Sequence, residues 1–237
     1  MPESRAGSLS LVGGALALDF ANTVSDRDAL APTEHFQAPR HLVDWAEHAG
    51  TIDATAARRL RGALACDGAA AERLLRHGLE LRAVIQRIGA AIAHGQPPAR
   101  ADLGALKETA RRQMAMAELA AANESYSFDF TEAPPEAALL GPVAWSAIDL
   151  LGRARLDRLK QCPGPGCGWL FLDTSKSGAR RWCDMSSCGN RAKAARHRAR
   201  KKAAEAMAGA GTTGPVPGQA SSAGRTSVAS RVIDSSS

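Results

Sequence analysis

Four of the five cysteines fall within 27 consecutive positions, as Cys162, Cys167, Cys183 and Cys188 in the pattern C-x4-C-x15-C-x4-C. Nothing else in the 237 residues limits the fold as tightly. Two pairs of thiols joined by a linker of hairpin length suit a tetrahedral four-thiolate zinc site, each pair spanning one edge. The stretch "CPGPGC" adds two prolines and two glycines, which suit a tight chain reversal around an ion. An all-sulfur shell leaves no open position for water, so the expected zinc is structural and single. No C-x-x-C occurs, which argues against a redox pair. Cys66 stands alone on an alanine-rich stretch and reads as a small buried hydrophobe.

The linker "GWLFLDTSKSGARRW" carries Trp169, Phe171 and Trp182 in a segment too short for its own core. These rings are expected to pack over the metal, with "TSKSG" as the turn of a β-hairpin, because a module of this size needs a staple. After Cys188 the sequence becomes helical, with Ala192, Ala195, Ala199 and Ala203 on a narrow stripe. Knuckle, hairpin and helix together predict a treble-clef-like finger. On sequence alone, Cys183→Ala is expected to unfold that finger and spare the rest.

Charge is concentrated in the same place. Residues 1–152 hold 14 Lys+Arg against 19 Asp+Glu, residues 153–202 hold 14 against 3, and residues 203–237 hold 2 against 2. The helix carries Arg191, Lys193, Arg196, Arg198, Arg200, Lys201 and Lys202, preceded by Arg180 and Arg181. At ~1.5 Å per residue, Arg191 to Lys202 covers about 16 Å, comparable with the ~12 Å DNA major groove and its phosphates. Four thiolates and Zn2+ together leave residues 153–202 near a charge of about +9. Such a run is either a solvated helix face or a polyanion-binding surface, and the zinc platform favours the second.

Upstream, Leu9 and Leu11, the turn Gly13-Gly14, and Leu16, Leu18 and Phe20 alternate with a period of two and predict a hairpin. "PRHLVDWAEHAG" predicts a helix closed by Gly50, "TIDATAARRLRGALA" a second, and residues 69–94 a third with Leu81, Val84, Ile85, Ile88 and Ile92 on one stripe. A fourth helix is expected over about 100–122. A strand at 125–132, with Tyr126, Phe128 and Phe130 alternating, would join the N-terminal hairpin, and a last helix would open at Pro142. The fold class expected is therefore α+β, mainly α. It comprises a helical domain with a small antiparallel sheet (9–152), the finger (158–203) and a Gly/Ser/Pro-rich tail (208–237) expected to be disordered.

No stretch approaches the ~20 apolar residues of a membrane span, and "MPESRAGSLSLVGG" lacks the build of a signal peptide, so a cytoplasmic location is expected. No H-E-x-x-H, Walker loop or G-x-S-x-G occurs, and the chain is expected not to be an enzyme.

The segment "CGWLFLDTSKSGARRWCDMSSCGNRAKAARHRAR" resembles the CGNR zinc finger family: Cys188-Gly189-Asn190-Arg191 is its naming tetrad, and W-x-F-x-D and RRWC accompany it. "LALDFANTV" (16–24) resembles the start of the ABATE domain found with this finger in bacterial proteins described as stress-induced transcription regulators. The resemblance implies zinc on Cys162, Cys167, Cys183 and Cys188, DNA as partner, and an N-terminal domain that senses a small-molecule ligand; a homodimer formed through that domain is the other expectation. Asp19, Asn22 and Thr23 are the candidate ligand-binding cluster on that analogy; as readily, they cap turns and helix starts. Asn190 is expected to cap the helix or brace a ligand sulfur. An adaptor binding RNA or an acidic protein is the alternative to DNA regulation.

Overall fold

The computed structural model describes residues 4–122 and 125–210. They form two units, one running through Ala195 and one beginning at Arg196. No described helix is long and apolar enough to cross a membrane.

Three helices lie where their caps and periodicity predict. Helix α2 (Arg40–His48) ends in a Schellman motif, in which Thr51 N–H donates to Ala46 C=O at 3.0 Å and Gly50 N–H to Glu47 C=O at 3.1 Å. Gly50 takes the left-handed conformation this requires, at φ +71°. Helix α3 (Ala54–Cys66) is capped by Asp53, which accepts from Thr55 and Ala56 N–H. Helix α4 (Gly68–Ala93), capped by Asp67, buries Leu81, Val84, Ile85 and Ile88 on the expected stripe, with Ile92 at its edge. Cys66 is exposed rather than buried, because the buried face of α3 consists of Ala57 and Leu60.

Other expectations are corrected. Residues Leu16–Ala21 form helix α1, not the return strand of a hairpin. Ala17, Leu18, Phe20 and Ala21 are all buried, so enclosure on several sides, rather than an apolar stripe, accounts for the apolar residues there. Helix α5 covers only Arg100–Met114, and the alanine-rich segment after it is strand β3 (Glu118–Ala122). The two-residue strands β1 (Val24–Ser25) and β2 (Thr33–Glu34) pair with each other. The strand expected at 125–132 is β4 (Ser125–Asp129), and its partner is β3 in antiparallel register. Helix α6 (Pro135–Arg153) begins upstream of Pro142, which lies inside it. Pro135 fits the first helical turn, where a missing N–H costs nothing. Beside Pro142, Gly141 admits the Phe130 ring so closely that a Cβ would overlap it.

The core gathers on α1, α2, α4, α5 and α6. Phe20, Phe36 and Trp45 stack with ring centroids 5.0 to 6.4 Å apart, each 1% exposed. Beside them the buried Arg82 pairs with Glu34 and lies over the Phe36 ring at 5.5 Å. Burial opposes ionisation of Glu34, but the hydrogen bond and charge of Arg82 hold its carboxyl below the usual range.

The finger has its hairpin in an unexpected place. Strands β5 (Leu159–Gln161) and β6 (Leu170–Leu172) pair antiparallel and flank the first two cysteines, so the knuckle is the hairpin's own tip. "TSKSG" is a turn, with Gly178 N–H donating to Ser175 C=O, but among the described residues no strand follows it. Helix α7 (Asn190–Ala210) closes the described chain. Past residue 210 the tail expected to be disordered lies outside the described residues.

Candidate metal centre

Cys162, Cys167, Cys183 and Cys188 are each at most 4% exposed, and their four sulfurs lie within 4.8 Å of one another. Cys183 Sγ stands 3.6 Å from both Cys167 Sγ and Cys188 Sγ. A tetrahedron with Zn–S bonds of about 2.3 Å has edges of about 3.8 Å, so the cluster fits one zinc ion. The acid–base balance agrees. Hydrogen bonds from Cys167 and Cys183 pull the Cys162 thiol down, while the hydrogen bond each makes to Cys162, with burial behind it, pushes Cys167 and Cys183 up. Four buried thiolates need a divalent cation to coexist, and zinc supplies that charge without redox chemistry.

The knuckle is built from glycine. Gly164 passes so near Cys188 that a Cβ would sit 3.0 Å from its sulfur, and Gly166 takes φ +72°. Cys162 N–H donates to Trp169 C=O at 2.8 Å, closing the reversal. Phe171, Trp169 and Trp182 pack on the sulfurs as expected, joined by Val12.

In the second half of the site the CGNR residues divide the work. Cys188 lies in a π-helical turn, Met185–Gly189, whose first N–H groups are capped by Asp184. Gly189 runs under the Met185 thioether, where a Cβ would come within 2.7 Å of the sulfur. Asn190 Nδ2 donates to Ser186 C=O at 3.0 Å, bracing the turn rather than a sulfur. Arg191 is the residue that reaches a ligand: its guanidinium donates to Cys188 Sγ at 3.0 Å and lies 3.5 Å from Asp26.

The N-terminal residues hold the finger from outside. Asn22, 2% exposed, donates from Nδ2 to Leu170 C=O and accepts from Leu170 N–H at Oδ1, both at 2.8 Å, as another strand would. Trp169 Nε1 donates to Val24 C=O, Leu172 N–H to Gly13 C=O, and Asp28 N–H to Gly166 C=O. Asp19 accepts from Gly13 N–H at 2.7 Å, and burial raises its carboxyl to about 6. Thr23 Oγ1 donates to Phe20 C=O. All three members of the candidate ligand cluster are therefore bonded to the chain itself.

The cations expected to meet DNA fall into two groups. Arg180 donates to Trp182, Cys183 and Val12 carbonyls and stacks over Phe171 at 4.5 Å, so it is part of the finger's frame. Arg191 is committed to Cys188. Arg181 is exposed over Trp182, and Lys193, Arg196, Arg198, Arg200, Lys201 and Lys202 are exposed on α7, where Lys201 has Glu205 at 3.8 Å. Two structural residues escape a reading from composition. Asp173, fully buried, accepts from Lys160, Ser175 and Arg180, and Lys160 holds its carboxyl well below the usual range. The D of W-x-F-x-D was the available signal.

A separate cavity of about 580 Å3 opens between α3, α6 and β4, lined by Ile52, Arg59, Phe128, Pro142 and Trp145 among others.

Two family models match the chain. The model named ABATE, described as "Putative stress-induced transcription regulator", covers residues 14–154, and the CGNR zinc finger covers residues 158–201. No curated protein matches.

Proposed function

Given that this chain belongs to the ABATE family of zinc-finger regulators, we propose that it is a cytoplasmic transcription regulator that grips duplex DNA with the exposed cations of α7. The observation that carries this reading is the run Lys193 to Lys202. Its six cations face solvent, and Glu205 is the one acidic residue α7 offers them. Zinc fixes the start of α7 by clamping Cys183, just ahead of the π-helical turn, to Cys188 within it. Arg180 and Arg191 serve the finger's frame and leave Arg181 as the contributor from the loop. The structural zinc site has no part in chemistry, which accords with a regulator rather than an enzyme.

Fluorescence anisotropy with a mixed-sequence duplex tests this. If about five cations displace counterions, log K falls against log salt with a slope near −4.5, a roughly five-hundredfold loss between ~50 and ~200 mM. Arg196→Ala should flatten that slope by about 0.9 with zinc content unchanged. An affinity flat across the salt range overturns the reading, and tighter capture of structured RNA or of an acidic protein transfers it to the adaptor class.

For the N-terminal domain we propose signal sensing through the cavity walled by Trp145 and Phe128, since Asp19, Asn22 and Thr23 are occupied within the chain.

A further inference from the structure

Two strands alone are ordinarily marginal in water, and the β3–β4 hairpin has a surface unlike that of a finished edge. The register pairs Leu119 with Phe128 and Ala121 with Tyr126, which places these four side chains on one face. Phe128 meets Trp145 edge-on at 5.0 Å. Leu119 and Tyr126, by contrast, are 67% and 77% exposed. Beyond β4 the chain is tied to α3, because Arg59 donates to Thr131 C=O and pairs with Glu132 at 2.8 Å, and β4 borders the cavity there. Among the described residues the outer edge of β3 has no strand partner. Its sequence, Glu-Leu-Ala-Ala-Ala, has no lysine, proline or bulge of the kind that keeps exposed edges apart.

We propose that β3 is the contact by which two copies of this chain associate, pairing antiparallel about a two-fold axis at Ala120. The product is a four-stranded sheet in the order β4, β3, partner β3, partner β4. The choice of a second copy rests on self-complementarity. Centred on Ala120, Leu119 faces Ala121 of the partner subunit, and the one charged residue of β3, Glu118, lies away from its own copy, so no like charges oppose one another. The apolar faces then run on across the axis, bringing Leu119 and Tyr126 of both copies onto one surface. Five residues of edge bury less than the ~800 Å2 per partner of a standard interface, so the affinity should be on the order of micromolar. This inference does not depend on the DNA reading.

Sedimentation equilibrium on the full zinc-loaded chain, from ~1 to ~200 µM, tests it. The wild type should pass from monomer to dimer. Ala120→Lys and Ala120→Glu should each remain monomeric, since each sets like charges against one another at the axis, and an equimolar mixture of the two should recover the dimer. Where either variant loses its helical circular dichroism, Tyr126→Ser decides instead, with an expected weakening of about tenfold. A wild type monomeric throughout, a dimer that persists in both Ala120 variants, a folded mixture that stays monomeric, or an unmoved Tyr126→Ser constant overturns the proposal.

Discussion

Among the described residues, the β5–β6 and β3–β4 hairpins invert the usual relation between length and burial. Strands β5 and β6 have three residues each, and Leu170 and Phe171 within them are fully buried. Strands β3 and β4 have five each, and Leu119 and Tyr126 lie in solvent. The short ladder is secured from outside: Asn22 bonds both backbone groups of Leu170, Gly13 receives Leu172 N–H, and the zinc cluster closes the tip. The long ladder meets its own domain mainly through Phe128 on Trp145. Ladder length alone, then, says little about how firmly a hairpin is built in, and the surrounding anchors decide it.

Zinc removal should produce the largest effect on this contrast. Structural zinc is worth about 10–16 kcal/mol in finger peptides, against about 5–15 kcal/mol of net stability for a whole domain. The sequence suggested a finger able to unfold by itself. The bonds of Asn22, Val12, Val24 and Gly13 to residues 169–180 give a different expectation. Chelation should lower the melting temperature of the helical signal together with the near-ultraviolet signal of Trp169 and Trp182. A helical transition unmoved by chelator would show β5–β6 to be an appendage like β3–β4.

Next in size is Leu170→Ala. Leu170 is 0% exposed and fills the space beside Gly89 of α4, where a Cβ would collide with it. Truncation should cost about 2–5 kcal/mol, read as a lower urea midpoint at unchanged slope. A cost under about 1 kcal/mol would mean that α4 and β6 can close the gap, and that the short hairpin is less firmly held than its burial implies.

The sequence made some of this legible for identifiable reasons. Asp53, Asp67 and Gly50 announce helix ends because capping and left-handed φ demand those residue types. The cysteine spacing announces the metal because four thiolates need one cation. Helix α1 looks like a strand in the sequence because Leu9, Leu11, Leu16, Leu18 and Phe20 imitate a period of two, while Ala15 at the N-cap offers no side-chain hydrogen bond to mark a start. The alanines after Met114 favour a helix by propensity, and pairing with β4 overrides that preference. Arg180 and Arg191 look like their neighbours in composition, and their commitment to carbonyls and to Cys188 depends on contacts that no local pattern encodes.

The smallest effect should come from Leu119→Ala, the same truncation in the other hairpin. Leu119 stands opposite Phe128 in register yet is 67% exposed, so in a monomer its loss removes little packing and should alter stability by at most about 0.5 kcal/mol. A two-stranded ribbon is marginal, and a larger cost would mean that Leu119 already supports β3 within one chain, erasing the contrast with Leu170. Measured at micromolar protein the outcome is sharper still. If β3 joins two copies, the midpoint of wild-type unfolding rises with protein concentration, because association stabilises by mass action. Leu119→Ala should weaken that dependence while leaving the dilute midpoint in place. The side chain that matters least to the folded monomer would then be among those that matter most to the pair.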